Sequence, residues 1–296
     1  MYPILFEYNN FQISTYGFML MMAFIICNYL LKKYLSSINV SEKIGEDIIF
    51  YAAIGGIIGS KIFYIIEYFP TDGLSNIKGL VDIFKGIITL DLTLITDGIQ
   101  RFGSGLVFLG GLIGGAISVT YYIYKNNLQW FAVSDWVAPY IILGQGIGRL
   151  GCFFVGCCYG KPAPNNLFFT FPEGRPPATY ESFLYNHPDV FEKYVRPFYG
   201  AGDFIKVYPT QIFEFFSYLG IFYILLLRRK NKSFDGQIFY EYLLYAGLSR
   251  FIIEFYRLNP SYIFNFTSAQ IISLFMMAVS TYLLLFNFNK VRSWKK

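Results

Sequence analysis

The chain is short of charge. Only 15% of its 296 residues are Asp, Glu, Lys or Arg, against 55% hydrophobic and 21% aromatic, whereas a soluble domain carries about a quarter charged residues. A soluble globular class is therefore excluded. Histidine is almost missing: His187 stands alone in an Asn-His-Pro-Asp segment, which reads as a surface turn and rules out a histidine-rich metal centre. The four cysteines lack the paired spacing of a zinc site, so no metal is expected. The start of the chain has neither the basic residues nor the small-residue cleavage pattern of a secretory signal, so the first apolar run is expected to remain. Repeats, heptads and low-complexity linkers are lacking as well. No basic tract is interleaved with aromatics, so the net charge of +5 implies no nucleic-acid partner. That charge is assigned to topology and to contact with anionic membrane lipids.

What is present is a series of long apolar runs, near the ~20 residues a helix needs to cross hydrocarbon, and none alternates like a membrane barrel strand. The expected fold is an all-α integral membrane protein with seven transmembrane helices. The spans are Ile13 to Leu31, Ile44 to Phe69, Gly105 to Tyr124, Trp136 to Phe154, Gln211 to Leu227, Ile238 to Phe255 and Ser268 to Phe286. Basic residues cluster after the odd-numbered spans, at Lys32, Lys33 and Lys43, at Lys125, at Arg228, Arg229, Lys230 and Lys232, and at Lys290, Arg292, Lys295 and Lys296. The positive-inside bias then puts the N-terminus outside and the C-terminus in the cytoplasm. Residues 1–296 are expected to form a single transmembrane domain. Residues 70–104 read as a long outside loop. Residues 155–210, which hold most of the 12 prolines and the histidine, read as an extracytoplasmic cap between spans four and five.

Two segments are dense in glycine, GGIIGSK at Gly55 to Lys61 and GSGLVFLGGLIGG at Gly103 to Gly115. Small residues every three or four positions let helices approach closely in lipid, which accounts for Gly55, Gly56, Gly59, Gly114 and Gly115. Gly110 and Gly111 admit a second reading, as room for a lipid acyl chain or headgroup.

Three cations lie inside or at the edge of apolar spans: Lys61, Arg149 and Arg250. A charge there is a functional-site candidate by default, and two facing guanidinium groups repel unless an anion sits between them. A phospholipid phosphate is the obvious membrane anion. Glu254 follows Arg250 by one helical turn and can neutralise it. Lys61 can instead snorkel to the interface. Cys152, Cys157 and Cys158 follow Arg149 closely, either as small polar fillers or with a thiolate activated by the arginine. Gln211 and Glu214 stand at the start of span five, where helix capping and interfacial hydrogen bonding would explain them.

In order and spacing, Thr15-Tyr16-Gly17, GGIIGSK, VFLGGLIGG, GRLGCFFVGCCYGK, YPTQIFE and SRFIIEFYR resemble the prolipoprotein diacylglyceryl transferase family over nearly the whole chain. The resemblance implies transfer of diacylglyceryl from phosphatidylglycerol to the thiol of a lipobox cysteine in a preprolipoprotein, at the outer face of the bacterial cytoplasmic (inner) membrane, with no cofactor. It implies Arg149 and Arg250 as the essential arginines. It further implies Tyr16 as a functional tyrosine, Glu254 as the acidic residue after the second arginine, and Gly151, Gly156 and Gly160 as the signature glycines. Relative to the family pattern, Leu109, Cys152, Cys157 and Tyr208 replace a histidine, an asparagine, a glutamate and a second histidine, and Lys61 and Lys161 replace arginines. The catalytic set expected here is Arg149, Arg250, Tyr16, Glu254, Cys152 and Cys157. Gly110, Gly111, Gly151, Gly156, Gly160, Lys61, Tyr208 and Gln211 are expected to bind substrate. A related transferase with a different acceptor, or a phospholipid-binding or transport protein, stands as the alternative.

Overall fold

A computed structural model of the chain describes residues 2–294 apart from 9, 10, 70, 71, 104, 106, 164–167 and 264. Lys295 and Lys296, used above for orientation, and Ser104 and Leu106 of the second glycine-dense segment lie outside the described residues. Helix makes up 72% of the chain, and among the described residues the strands pair only as two-stranded ribbons, so the fold is all-α. By length and composition, five helices among the described residues can cross a membrane: Thr15–Ser37, Glu42–Glu67, Trp130–Val155, Thr210–Arg229 and Ser268–Asn289. Expected spans three and six fall on Phe108–Lys125 and Gln237–Glu254, each of 18 residues. At 1.5 Å per residue each is about 27 Å long, slightly under the ~30 Å hydrocarbon core.

The chain divides into two compact units, Lys32–Trp130, and Met1–Leu31 together with Phe131–Lys296. Helix α1 (Thr15–Ser37) passes from the second of these into the first. The Lys32–Trp130 unit holds α2 (Glu42–Glu67), α3 (Asp72–Thr89), α4 (Leu92–Gly103) and α5 (Phe108–Lys125). Helices α2 and α5 pack backbone to backbone. A side chain at Gly59 would run into the Gly110 carbonyl and, at 2.8 Å, Gly114 Cα, while one at Gly55 would meet the Gly114 carbonyl at 2.6 Å. Residues 72–103 are not the extended loop expected from sequence but an antiparallel pair of helices. The buried residues of α3 are Gly73, Asn76, Gly79 and Gly86, a small-residue stripe at helical spacing that hydropathy does not register. A side chain at Gly79 would stop 2.9 Å from the Gly98 carbonyl. The turn closes on Asp91, whose Oδ1 accepts from the Thr93 N–H at 2.9 Å and caps α4.

In the other unit, ribbon β1 (Ile4–Tyr8) with β2 (Phe11–Ser14) leads into α1. Helices α6 (Trp130–Val155), α9 (Thr210–Arg229) and α10 (Gln237–Glu254) share a core of Ala138, Ile142, Tyr218, Ile221, Leu225, Ile238, Tyr242 and Ala246. One end of these three helices is locked by charge. Buried Asp135 of α6 accepts from the N–H groups of Gly236 (2.9 Å) and Phe239 (3.1 Å) at the start of α10, and from Lys232 Nζ (3.2 Å). Arg228, at the end of α9, pairs with Glu241 at 2.8 Å.

Between α6 and α9 the chain folds into an insertion of short elements. It contains β3 (Phe169–Thr170), α7 (Tyr180–Asn186), α8 (Pro188–Val190), a π-helical turn at Phe191–Val195, and β4 (Lys206–Val207), which pairs with β3. Phe171, Phe183, Phe191, Val195, Ile205 and Val207 give this insertion its own apolar centre, each large side chain contributing ~1.5–3 kcal/mol by leaving water. After α10 come ribbon β5 (Ser261–Ile263) with β6 (Phe266–Thr267), and then α11 (Ser268–Trp294), which packs on α10. A side chain at Gly247 of α10 would meet Met277 Cγ at 3.1 Å.

Candidate active site

The end of α6, the start of α9 and the end of α10 meet at the opposite pole from Asp135, and each carries an ionic residue there. Arg149 stands fourteen residues beyond Asp135 on the same helix, about 21 Å along the axis. Helix α6 stops at Gly156, whose φ of +73° lies in the left-handed region that glycine adopts without strain. The chain then returns across the site. Gly160 N–H donates to the Tyr208 carbonyl at 2.8 Å, and Gly160 pairs with Arg257 as an isolated antiparallel bridge. A side chain at Gly160 would collide with the Tyr256 carbonyl and stand 2.8 Å from Thr210 Cγ2. The glycine is what lets this strand lie against the segment carrying Arg257.

Two carboxylates hold three arginines. Glu214 on α9 has Arg149 Nε at 2.7 Å, Arg250 Nη1 at 2.5 Å and Arg257 Nη1 at 3.7 Å. Glu254 on α10 has Arg250 Nη2 at 3.0 Å and Arg257 Nε at 3.7 Å, and it accepts from Asn259 Nδ2 at 2.6 Å and Thr267 Oγ1 at 2.9 Å. Both carboxylate side chains are fully buried, whereas those of Arg149 and Arg250 keep 26% and 23% of their surface. Removing one partner from such a buried set costs ~3–5 kcal/mol, because the remaining charge is left uncompensated. The set holds three cations and two anions, hence one excess positive charge. Arg149 turns its Nε edge toward Glu214, and among the described contacts its two Nη groups are not engaged by a carboxylate. The site is therefore positive overall, and buried Glu214 Oε2, Glu254 Oε2 and Arg257 Nε have no hydrogen-bond partner among the described residues.

The thiols gather beside it. The sulfurs of Cys152, Cys157 and Cys158 all lie within 4.8 Å of one another, with Cys152 buried, Cys157 half-buried and Cys158 exposed. Their loop is pinned by its carbonyls: Gln211 Nε2 donates to Cys157 O at 2.7 Å, Thr210 Oγ1 to Cys158 O at 2.8 Å, and Arg257 Nη1 to Cys158 O at 3.4 Å. Hydrogen bonds from Cys152 and Cys157, and then the Arg257 charge, hold the Cys158 thiol well below its ordinary range. Hydrogen bonding with Cys152 and Cys158, together with burial, pushes Cys157 up.

Of the other residues expected from sequence, Tyr16 at the start of α1 packs on Gly151. A side chain at Gly151 would stand 3.2 Å from the Tyr16 ring and 3.1 Å from Met19 Cβ. Tyr16 is 39% exposed. The Tyr208 ring belongs to an aromatic group with Phe168 (5.3 Å), Tyr256 (5.2 Å) and Phe213 (6.5 Å). Gln211 is buried, and its Oε1 has no hydrogen-bond partner among the described residues. Lys61, Gly110 and Gly111 belong to the Lys32–Trp130 unit. There the Lys61 ammonium bonds Asn76 Oδ1 at 2.5 Å and the Gly105 carbonyl at 3.3 Å and sits 4.6 Å from the centre of the Phe102 ring. Gly110 and Gly111 face α2, where side chains on them would strike Phe63 and Ser60, so helix packing fills that space.

Arg257 escaped the sequence reading because it lies past the end of the apolar run. Arg250 and Glu254 lie one turn apart on α10, whereas Arg257 follows the last helical residue and reaches the site from the segment bridged to Gly160. Helix capping and interfacial hydrogen bonding are not what Glu214 does: the first turn of α9 has no side-chain cap hydrogen bond, and the residue is the shared counterion of Arg149 and Arg250.

The family model described as prolipoprotein diacylglyceryl transferase matches residues 3–286. The chain belongs to that family. Among its relatives, a phosphatidylglycerol–prolipoprotein diacylglyceryl transferase of Clostridium tetani is 34% identical, covering 99% of each chain. A protein of the same description, numbered 2, from Clostridium perfringens is 30% identical over 99% of this chain and 97% of its own. One from Buchnera aphidicola is 29% identical over 86% and 84%. Membership in this transferase family agrees with the apolar helices and with a net-positive site where three helices end.

Proposed function

We propose that this protein transfers diacylglyceryl from phosphatidylglycerol to the lipobox cysteine thiol of a preprolipoprotein, and that the Arg149, Arg250 and Arg257 cluster is where the phosphate binds. The observation that carries the assignment is the excess positive charge of that cluster, with guanidinium forks partly exposed above two buried carboxylates. The acceptor sulfur attacks the glycerol carbon that bears the phosphate. A carbon–sulfur bond forms, the carbon–oxygen bond breaks, its electron pair leaves on glycerol phosphate, and the thiol proton passes to water. The phosphodiester starts with one negative charge and leaves with close to two. Arginines already fixed by Glu214 and Glu254 stabilise that added charge without reorganising. The same positive field favours the acceptor thiolate, the nucleophilic form.

Glu254 and Glu214 position the arginines from below, and Tyr16, exposed at the rim, orients the headgroup. Gly151, Gly156 and Gly160 shape the backbone, while Gln211 and Tyr208 hold the cysteine loop and its neighbour; Lys61, Gly110 and Gly111 support their own unit. Seven spans with the N-terminus outside place this site at the outer face of the bacterial inner membrane. The reading is supported by the basic cluster Arg228, Arg229, Lys230 and Lys232 at the other pole of α9. The test is mass spectrometry of a lipobox peptide incubated with the purified protein and phosphatidylglycerol. A diacylglyceryl mass increment that disappears with Arg149→Ala supports the assignment; an undiminished increment in a folded Arg149→Ala protein removes the phosphate role.

A further inference from the structure

Three thiols converging on one point are more than a packing detail. We propose that Cys152, Cys157 and Cys158 form a three-thiolate binding site for a soft cation of the zinc or copper(I) class, beside the arginine cluster and separate from the transfer chemistry. Metal–sulfur bonds of ~2.3 Å put the sulfurs of a trigonal or tetrahedral site roughly 3.8–4.0 Å apart. The three sulfurs here are already within 4.8 Å of one another, so small side-chain rotations suffice to close around an ion. A disulfide would instead require two sulfurs to reach ~2.05 Å and would leave the third unused.

The loop is built to hold this arrangement. Left-handed backbone at Gly156 (φ +73°) and Cys158 (φ +62°) turns it back on the end of α6, and Gln211, Thr210 and Arg257 anchor the carbonyls of Cys157 and Cys158. The exposure of Cys158 opens an entry path, and a water can fill a fourth position. The fourth cysteine of the chain, Cys27, is buried against Tyr140 O at 3.2 Å, and its thiol lies outside the cluster. It serves as the internal control.

The experiment uses the full chain in detergent, reduced and freed of metal by chelation, with Cd²⁺ as the probe. Expected are one ion per chain, an ultraviolet sulfur-to-cadmium charge-transfer band, displacement by Zn²⁺, and protection of Cys152, Cys157 and Cys158 together from alkylation, with Cys27 unchanged. Cys158→Ser is expected to weaken binding by roughly tenfold or more, and Cys27→Ser not at all. The wild-type alkylation pattern keeps the test decisive if a variant misfolds. No band, alkylation of Cys158 unaffected by Cd²⁺, or a disulfide joining two of the three in protein isolated under nitrogen would overturn the proposal.

Discussion

Arg257 is the residue on which sequence and structure part most clearly. It is 10% exposed, touches both carboxylates at 3.7 Å and also reaches the Cys158 carbonyl. If it shares the phosphate, Arg257→Ala lowers diacylglyceryl transfer by ~10²-fold, the effect of losing one preorganised donor, with phospholipid and peptide otherwise saturating. Arg257→Lys restores charge without the fork and recovers only part of the rate. Glu214→Gln is expected to do more, since it strips Arg149 and Arg250 of their shared counterion. Both stability and transfer fall, by ~3–5 kcal/mol in unfolding free energy, read by thermal or denaturant unfolding in detergent. Arg149 and Arg250 were legible because charge inside an apolar run stands out at once. Their partner Glu214 was visible as a residue but not as a partner, since hydropathy carries no information about what a carboxylate faces 36 or 65 positions away.

Among the helices, close packing expected at Gly55, Gly56 and Gly59 is found at Gly55 and Gly59 but not at Gly56. Gly59 abuts Gly110 and Gly114, whereas a side chain at Gly56 would meet only the Gly111 carbonyl at a comfortable 3.6 Å. Gly59→Ala should therefore destabilise by ~1–3 kcal/mol, as overpacking does, and Gly56→Ala should change the melting temperature little; equal effects would contradict the packing described. The helical pair at 72–103 was not legible because its buried stripe is glycine and asparagine, which a hydropathy profile scores as loop. In the insertion between α6 and α9, His187 is not a bare surface turn. It is half-buried with its ring 5.9 Å from that of Phe183, and burial lowers its pKa from 6.5. The unfolded chain then takes up a proton that the folded insertion resists, so stability contributed by neutral His187 is present above pH ~6.5 and declines as pH falls below it. Protease resistance of the insertion should drop between about pH 7.5 and 5.5, and His187→Phe should flatten that dependence.

At the scale of the whole molecule, α6, α9 and α10 are bundled with a charged lock at one pole and the arginine cluster at the other. The proposed topology puts the cluster outside. A membrane-impermeant maleimide added to intact, chelator-treated spheroplasts should then label Cys158 without permeabilisation; labelling only after lysis in the same chelator would reverse the topology. The apolar character, the helical class and the presence of costly arginines in the chain followed from sequence alone, because they depend on composition and on short-range periodicity. Tertiary structure decided what those charges do. The meeting of Arg149, Arg250 and Arg257 on Glu214, and of three thiols around one point, depends on how helix ends dock and where Gly156 and Gly160 turn the chain. Those contacts are set by packing between distant segments, which no local pattern of residues records.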